Sequence, residues 1–282
     1  MNLIENPIQV ITPDILKWIA TQAQAGHKPD AVLAAMRTSG WSEEVALRAI
    51  EQARYGTPYD QPNPVPVPDP DVSDTHCVLR TTDREVQVLA SLKWPRVLVF
   101  GNLLSHQECD ELMELARDRL DRSLTVDNWS GGNELSEWRS SDGMCFQRGE
   151  NEVARRVEAR LAELVNWSLE KGEGLQVLRY GPGAQYRPHH DYFDPTVPGT
   201  PAILERGGQR IATVLMYLQA PLSGGATIFP ETGFQVTPAK GGAVFFSYDR
   251  AHQVSRTLHG GAPVIEGEKW IATKWLREKV HE

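Results

Sequence analysis

The sequence predicts an α+β protein: a small all-α unit followed by a larger domain in which two helices precede a run of short strands. Three observations lead there. Apolar residues recur at helical spacing through residues 1–55 and again in two later segments. Prolines stand at 58, 62, 64, 66, 68 and 70. After Gly174, short β-like runs alternate with Gly and Pro turns, the pattern of a sandwich or barrel.

Composition limits the function classes. Of 282 residues, 40% are hydrophobic and 23% charged, which is ordinary for a globular protein with a sizeable core. The net charge of −8 argues against a general nucleic-acid or anionic-membrane binder, either of which needs a basic face. Cys77, Cys109 and Cys145 lack the paired spacing of a disulfide scaffold or a zinc site. The start carries no basic segment leading into an apolar stretch, and runs such as Val97–Phe100 are far short of the ~20 residues of a membrane span. The expectation is a cytoplasmic protein with no nucleic-acid and no membrane partner.

In chain order, Thr12-Pro13 supplies an N-cap and a first-turn proline, Ile15, Leu16, Ile19 and Ala23 share a face, and Gly26 closes the helix. A second helix is expected from Lys28 to Arg37, and a third after Ser42 with Val45, Ala46, Ala49 and Ile50 inward. Three short helices with Gly40-Trp41 between the last two resemble a UBA-like bundle. The unit is then either a binder of a protein partner or a plain helical appendage. Residues 56–72 favour extended polyproline II, because proline fixes its own torsion and lacks a donor, and read as a semi-rigid spacer. Residues 73–282 form the main domain. Arg96–Phe100 is a strand, and Ser105 with Glu108 makes a capping box that opens a helix through Ala116. A polar, Gly-rich segment spans Val126–Gly143. A second helix runs from Asn151 to Leu169. The expected strands are Leu175–Tyr180, Gln185–Tyr192, Arg210–Tyr217, Ala226–Phe229, Phe234–Pro238, Ala243–Tyr248, His259–Val264 and Lys269–Trp275.

The chemistry centres on His189-His190-Asp191. On a strand, positions two apart share a face, so His189 and Asp191 would converge while His190 points away. His259 lies on another expected strand. Two imidazoles and a carboxylate on one side of a metal make the facial triad of non-haem Fe(II) oxygenases, which leaves positions open for substrates. Taken alone, His-x-Asp arises freely by chance. Lys269, leading into the apolar run Trp270–Trp275, adds a compact cation suited to a distal carboxylate; the competing reading is a solvated lysine in the turn Glu266–Lys269. His252 falls in a turn, and a further donor would crowd the open positions.

A wider pattern joins these residues. Val177–Tyr180, Gln185–Phe193, Gly207–Leu218, Gly224–Pro230 and His259–Trp275 resemble, in order and spacing, the catalytic domain of the prolyl 4-hydroxylase family, over roughly Arg96 to Glu278. That resemblance implies a double-stranded β-helix (jelly roll), Fe(II), 2-oxoglutarate, O2, and ascorbate as reductant. It implies His189, Asp191 and His259 as catalytic iron ligands, with Lys269 on the distal carboxylate of 2-oxoglutarate. Tyr180 and Thr227 would hydrogen-bond that cosubstrate, and Trp275 would wall its pocket. Tyr186 and Arg210 stand where members contact a protein or peptide substrate, and Trp138 and Arg139 lie in a segment that closes over it. Each has a plainer reading: Tyr180 and Trp275 as core aromatics, Arg210 as a surface arginine paired with Glu205. Members that hydroxylate peptidyl proline often carry Lys-Trp-x-His where this chain has Lys274-Trp275-Leu276-Arg277, which bears on peptide specificity. An intact Asp191 argues against halogenation. Two other readings remain open at this point: hydroxylation of a free amino acid or other small molecule, and a binding or sensor module on a degenerate oxygenase fold. A cupin-like zinc or manganese enzyme is the third.

Overall fold

The computed structural model describes residues 9, 11–55, 63–72, 77–122, 124–126, 133–135, 140–195 and 197–281. They fall into two compact units, Met1–Asn63 and Pro64–Glu282. In the first, α1 (Pro13–Gln24), α2 (Pro29–Thr38) and α3 (Glu43–Tyr55) enclose Ile19, Val32, Met36, Ala46 and Ala49. The caps are the ones expected. The Thr12 hydroxyl accepts the Ile15 amide, the Ser42 hydroxyl accepts the Val45 amide, and Gly26 turns the chain at φ +84°.

The second unit opens on residues 64–72, which run without regular structure along its surface, with Pro68 and Pro70 buried. Then come β1 (Val78–Arg80), β2 (Glu85–Leu92), β3 (Arg96–Gly101), α4 (His106–Arg117), β4 (Asp121–Arg122), β5 (Leu124–Val126), β6 (Asn133–Leu135) and β7 (Asp142–Phe146). They are followed by α5 (Glu152–Leu164), β8 (Leu175–Tyr180), β9 (Tyr186–His189), α6 (Thr200–Leu204) and β10 (Arg210–Gln219). The chain ends through β11 (Ser223–Gly224), β12 (Thr227–Phe229), β13 (Phe234–Val236), β14 (Ala243–Ser247), β15 (His259–Gly261), β16 (Val264–Glu266) and β17 (Lys269–Arg277). No helix among the described residues is long and apolar enough to cross a membrane.

A nine-stranded sheet, ordered β1-β2-β3-β14-β10-β17-β8-β7-β4, faces a four-stranded sheet ordered β13-β12-β15-β9 across a shared apolar interior. All pairings are antiparallel. Side chains alternate across the large sheet, so each central strand serves two layers. Val177, Ala212, Val214, Met216, Trp270, Ala272 and Leu276 pack outward with Leu112 and Met113 of α4 and Val153, Val157 and Leu161 of α5. Leu178, Tyr180, Leu215, Tyr217 and Ile271 point inward. This two-sheet arrangement with helices on one outer face is the jelly roll with supporting helices.

Four local departures from the sequence reading have physical causes. α5 stops at Leu164, because Asn166 takes a left-handed backbone (φ 51°) that a helix cannot continue; a single 3-10 turn, Leu169–Lys171, follows. The expected strand His259–Val264 is two strands, β15 and β16, paired with different partners. β9 ends at His189, so Asp191 lies beyond the strand. β1, β2, β4 to β7, β11 and α6 lie where the sequence predicts no regular element; β7, for one, buries only Met144 and Phe146, which makes a weak apolar signal.

The capping box at Ser105 forms, with the Ser105 hydroxyl taking the Glu108 amide and Glu108 taking the Ser105 amide. Glu108 is also gripped by Arg160 of α5 at 2.7 and 2.9 Å, and Arg160 reaches Asp83 at 2.6 Å. Burial pushes the Glu108 carboxyl up, but Arg160, the Ser105 amide and Arg156 outweigh burial and hold it at about 2. Because the folded value lies below the unfolded one, the stabilisation is complete above about pH 4.3 and is lost as pH falls toward 2. Glu108→Ala leaves a buried guanidinium short of its partner and is expected to cost about 3–5 kcal/mol, read as a lowered urea midpoint at pH 7.

Candidate active site

Two strands of the small sheet bring the histidines together. In the β9–β15 pairing His189 and His259 are direct cross-strand partners, with ring centroids 4.5 Å apart. Gly260 makes that closeness workable: a Cβ there would sit 2.9 Å from the Tyr186 carbonyl oxygen. Each imidazole is oriented by the backbone two residues earlier. His189 Nδ1 donates to the Arg187 carbonyl at 2.9 Å, and His259 Nδ1 to the Thr257 carbonyl at 3.0 Å. Both Nε2 lone pairs are therefore free to ligate.

Asp191 completes the group by another route. Off the strand, its carboxylate turns back so that Oδ1 lies 3.5 Å from His189 Nε2 and Oδ2 3.6 Å from His259 Nε2. One donor atom from each of the three lies within 4.8 Å of the others. The Thr213 hydroxyl of β10 donates to Asp191 Oδ2 at 2.7 Å, and the Tyr248 hydroxyl lies 3.2 Å from the Thr213 oxygen. A hydroxyl has one hydrogen. With that of Thr213 committed to Asp191, Tyr248 is the donor to Thr213. Burial would raise the Asp191 carboxyl, but the His259 and His189 imidazoles and the Arg210 charge override it, so Asp191 is ionised throughout the working pH range. Burial lowers His259 to about 4, against the opposing pull of Asp191. Two imidazoles and one carboxylate on one side of a cavity are the donor set of a ferrous facial triad, and the residues fit that metal. His190 points away and stacks on Tyr192. His252 caps a 3-10 turn through Val254 and does not join the group.

The large sheet builds the rest of the cavity by alternation. Gln176, Leu178 and Tyr180 of β8, Thr213 and Leu215 of β10, and Lys269, Ile271, Thr273 and Trp275 of β17 line it together with the triad, Tyr186 and Thr227. Lys269 stands opposite Tyr180, and Thr213 opposite Trp275. Lys269 is only 3% exposed and has no ion-pair partner among the described residues. Burial lowers it to about 8. A buried ammonium without an anion is costly, and it makes a receptor for one. Thr227 accepts the Tyr217 hydroxyl at 2.7 Å, and Tyr186 stacks on His189 at 3.7 Å.

Arg210 is placed otherwise than expected. It is internal, not paired with Glu205, and is not among the residues lining the cavity. Its guanidinium is bidentate on Glu173 at 2.6 and 2.8 Å and lies 3.8 Å over the Trp275 ring. Arg277 shares Glu173 at 2.9 Å and holds the carbonyls of Arg206 (2.6 Å) and Ile203 (3.1 Å). Trp138 and Arg139 lie outside the described residues. The end of that segment is tied to the site: the Ser140 hydroxyl exchanges hydrogen bonds with the Gln185 backbone. Thr213, Tyr248 and Glu173 escaped the sequence reading. A threonine inside Ile211–Met216, otherwise wholly apolar, was the one available signal for the first.

With fold and site in view, the chain is a 2-oxoglutarate- and Fe(II)-dependent dioxygenase. Residues 175–277 match the 2OG-Fe(II) oxygenase superfamily. Prolyl 4-hydroxylase 1 of Arabidopsis thaliana is 42% identical over 202 residues, covering 66% of this chain and 70% of the relative. Prolyl 4-hydroxylase 5 of the same plant is 38% identical over 222 residues, covering 71% and 73%. The chain spans 66% of the length of a further Arabidopsis relative that is 40% identical. The 2-oxoglutarate complex of the viral collagen prolyl hydroxylase from Paramecium Bursaria Chlorella virus-1 is 31% identical, with a TM-score of 0.50 over 64% of this chain and 95% of that one. The chain belongs to the prolyl 4-hydroxylase family.

Two outcomes test the site. Thr213→Val removes the donor to Asp191 and is expected to weaken Fe(II) affinity about 10–100-fold, with Thr213→Ser close to wild type, in anaerobic metal titration. Lys269 binds a carboxylate only when protonated. The dissociation constant for 2-oxoglutarate, measured by anaerobic titration, should therefore rise up to about tenfold per pH unit above pH 8.

Proposed function

We propose that this protein hydroxylates prolyl residues in a protein or peptide, releasing succinate and CO2. The observation that carries the reading is the pairing of the His189–Asp191–His259 triad with a buried Lys269 that has no ion-pair partner among the described residues, in one cavity. The names borne by the family's members supply the substrate class.

His189, Asp191 and His259 hold the iron through two Nε2 atoms and a carboxylate oxygen. Bound Fe(II), with 2-oxoglutarate and O2, supplies the oxidising power that replaces a C–H hydrogen by hydroxyl, and ascorbate keeps the metal ferrous. Lys269 Nζ pairs with the distal carboxylate of 2-oxoglutarate. Tyr180, directly across the strand pair, and Thr227 add hydrogen bonds, and Trp275 closes the wall. Apolar side chains Leu178, Leu215 and Ile271 keep water out of the space between them. Tyr186, stacked on a ligand histidine, offers an aromatic face to the substrate ring. Arg210 acts from behind Trp275, fixing the ring through the Glu173 ion pair. Arg277, drawn into the Glu173 cluster, gives this chain a peptide-site edge unlike that of members with histidine there.

The helical unit, UBA-like in its spacing, is read as the contact for a protein partner. The cysteines, all free, fit a reducing compartment such as the cytoplasm.

The test supplies a proline-rich peptide, Fe(II), 2-oxoglutarate and ascorbate, then measures succinate and +16 masses on prolyl residues. Wild type should yield both in equal amounts, and His189→Ala should fall at least about 10³-fold. Succinate without any hydroxylated prolyl peptide would overturn the substrate assignment while leaving the dioxygenase intact.

A further inference from the structure

The geometry points to a substrate within the chain itself: Pro64 and Pro66 of one copy are hydroxylated in the iron site of a second copy. This inference rests on the prolyl hydroxylase reading.

Prolines alternate from 62 to 70, with Val65 and Val67 between three of them. Such a stretch is extended before it meets any partner, because each ring fixes its own torsion, so little ordering is needed on binding. It offers an enzyme that acts on peptidyl proline several targets in one pre-ordered, extended conformation.

The fold divides these prolines in two. Pro68 and Pro70 are buried, whereas Pro64 and Pro66 are exposed. The downstream half is bolted down: the Asp69 amide donates to the Val165 carbonyl at 3.2 Å, and Arg96 grips the Asp69 carboxylate at 2.7 Å. The upstream half is held by the Val65 amide, which donates to the Asp249 carbonyl at 2.7 Å, and by the half-buried Val65 and Val67 side chains. Among the described residues, lifting Pro64 and Pro66 sacrifices one backbone hydrogen bond, a net cost on the order of 1 kcal/mol, and a little valine burial. Lifting Pro68 or Pro70 breaks an ion pair and uncovers two rings. None of residues 64–70 lines the cavity that holds the triad, so the segment as docked is outside its own site and enters that of another molecule.

The step balances without any co-reactant beyond those of the established activity. One oxygen atom of O2 enters a ring C–H bond of proline, which becomes C–OH. The other enters the new carboxylate of succinate as 2-oxoglutarate loses CO2. Proline and 2-oxoglutarate each give up two electrons, and O2 takes four.

The experiment mixes unlabelled full-length wild type with full-length 15N-labelled His189→Ala in air with Fe(II), 2-oxoglutarate and ascorbate, and maps +16 masses by peptide. Lys269→Ala serves as a second inactive target should His189→Ala not fold, and a Pro64→Ala/Pro66→Ala target is the site control. The expected result is +16 on Pro64 and Pro66 of the labelled chain, at least about tenfold above Pro68 and Pro70, rising with the concentration of active copy and absent from the control. An unmodified labelled chain, in a mixture that hydroxylates an added proline-rich peptide, overturns the inference alone. A mixture that hydroxylates neither overturns the prolyl hydroxylase reading with it.

Discussion

The register of one short strand pair governs this molecule. His189 faces His259 across β9 and β15, and each Nδ1 is tied to the carbonyl two residues before it, so two metal-directed nitrogens converge without any side chain having to reach. A slip of one residue would send a histidine to the opposite face. Gly260, next after His259, allows the strands to approach closely enough to keep that register. The cavity, the fit to iron and the place of the cosubstrate all presuppose it.

The third ligand obeys a different constraint. Asp191 has no strand to hold it, and its orientation comes from Thr213, itself held by Tyr248. Since Thr213 belongs to the large sheet and the histidines to the small one, the triad together with its support draws on both layers of the jelly roll. Closing the two sheets brings Thr213 to Asp191. Lys269 shows the same economy of design from the other side: β17 buries Trp270, Ala272 and Leu276 against helices while Lys269, Ile271, Thr273 and Trp275 look into the cavity.

The Glu173 cluster explains how a charged pair of arginines can be stable so close to the site. Burial raises the Glu173 carboxyl, but Arg210 and Arg277 more than reverse it, so the carboxylate stays ionised between two guanidinium groups. Arg210 then lies flat on Trp275 and Arg277 on the carbonyls that end α6. Through Glu173 and Arg210, Arg277 thus braces the Trp275 side of the cavity.

The sequence alone determined the architecture in outline. Helical spacing, caps such as Thr12 and the Ser105–Glu108 box, and the strands Leu175–Tyr180 and Arg210–Tyr217 were legible because they follow from local periodicity and backbone satisfaction. His189, Asp191, His259 and Lys269 were legible because few chemistries need that set. Tertiary structure alone decided the rest. The route by which Asp191 returns to the histidines, the donor role of Thr213 and the capture of Arg210 by Glu173 depend on strands far apart in the chain. Which prolines of the 64–70 segment face water is settled by carbonyls at Asp249 and Val165. Long-range pairing carries no periodic signal, so these contacts exist only once the sheets have closed.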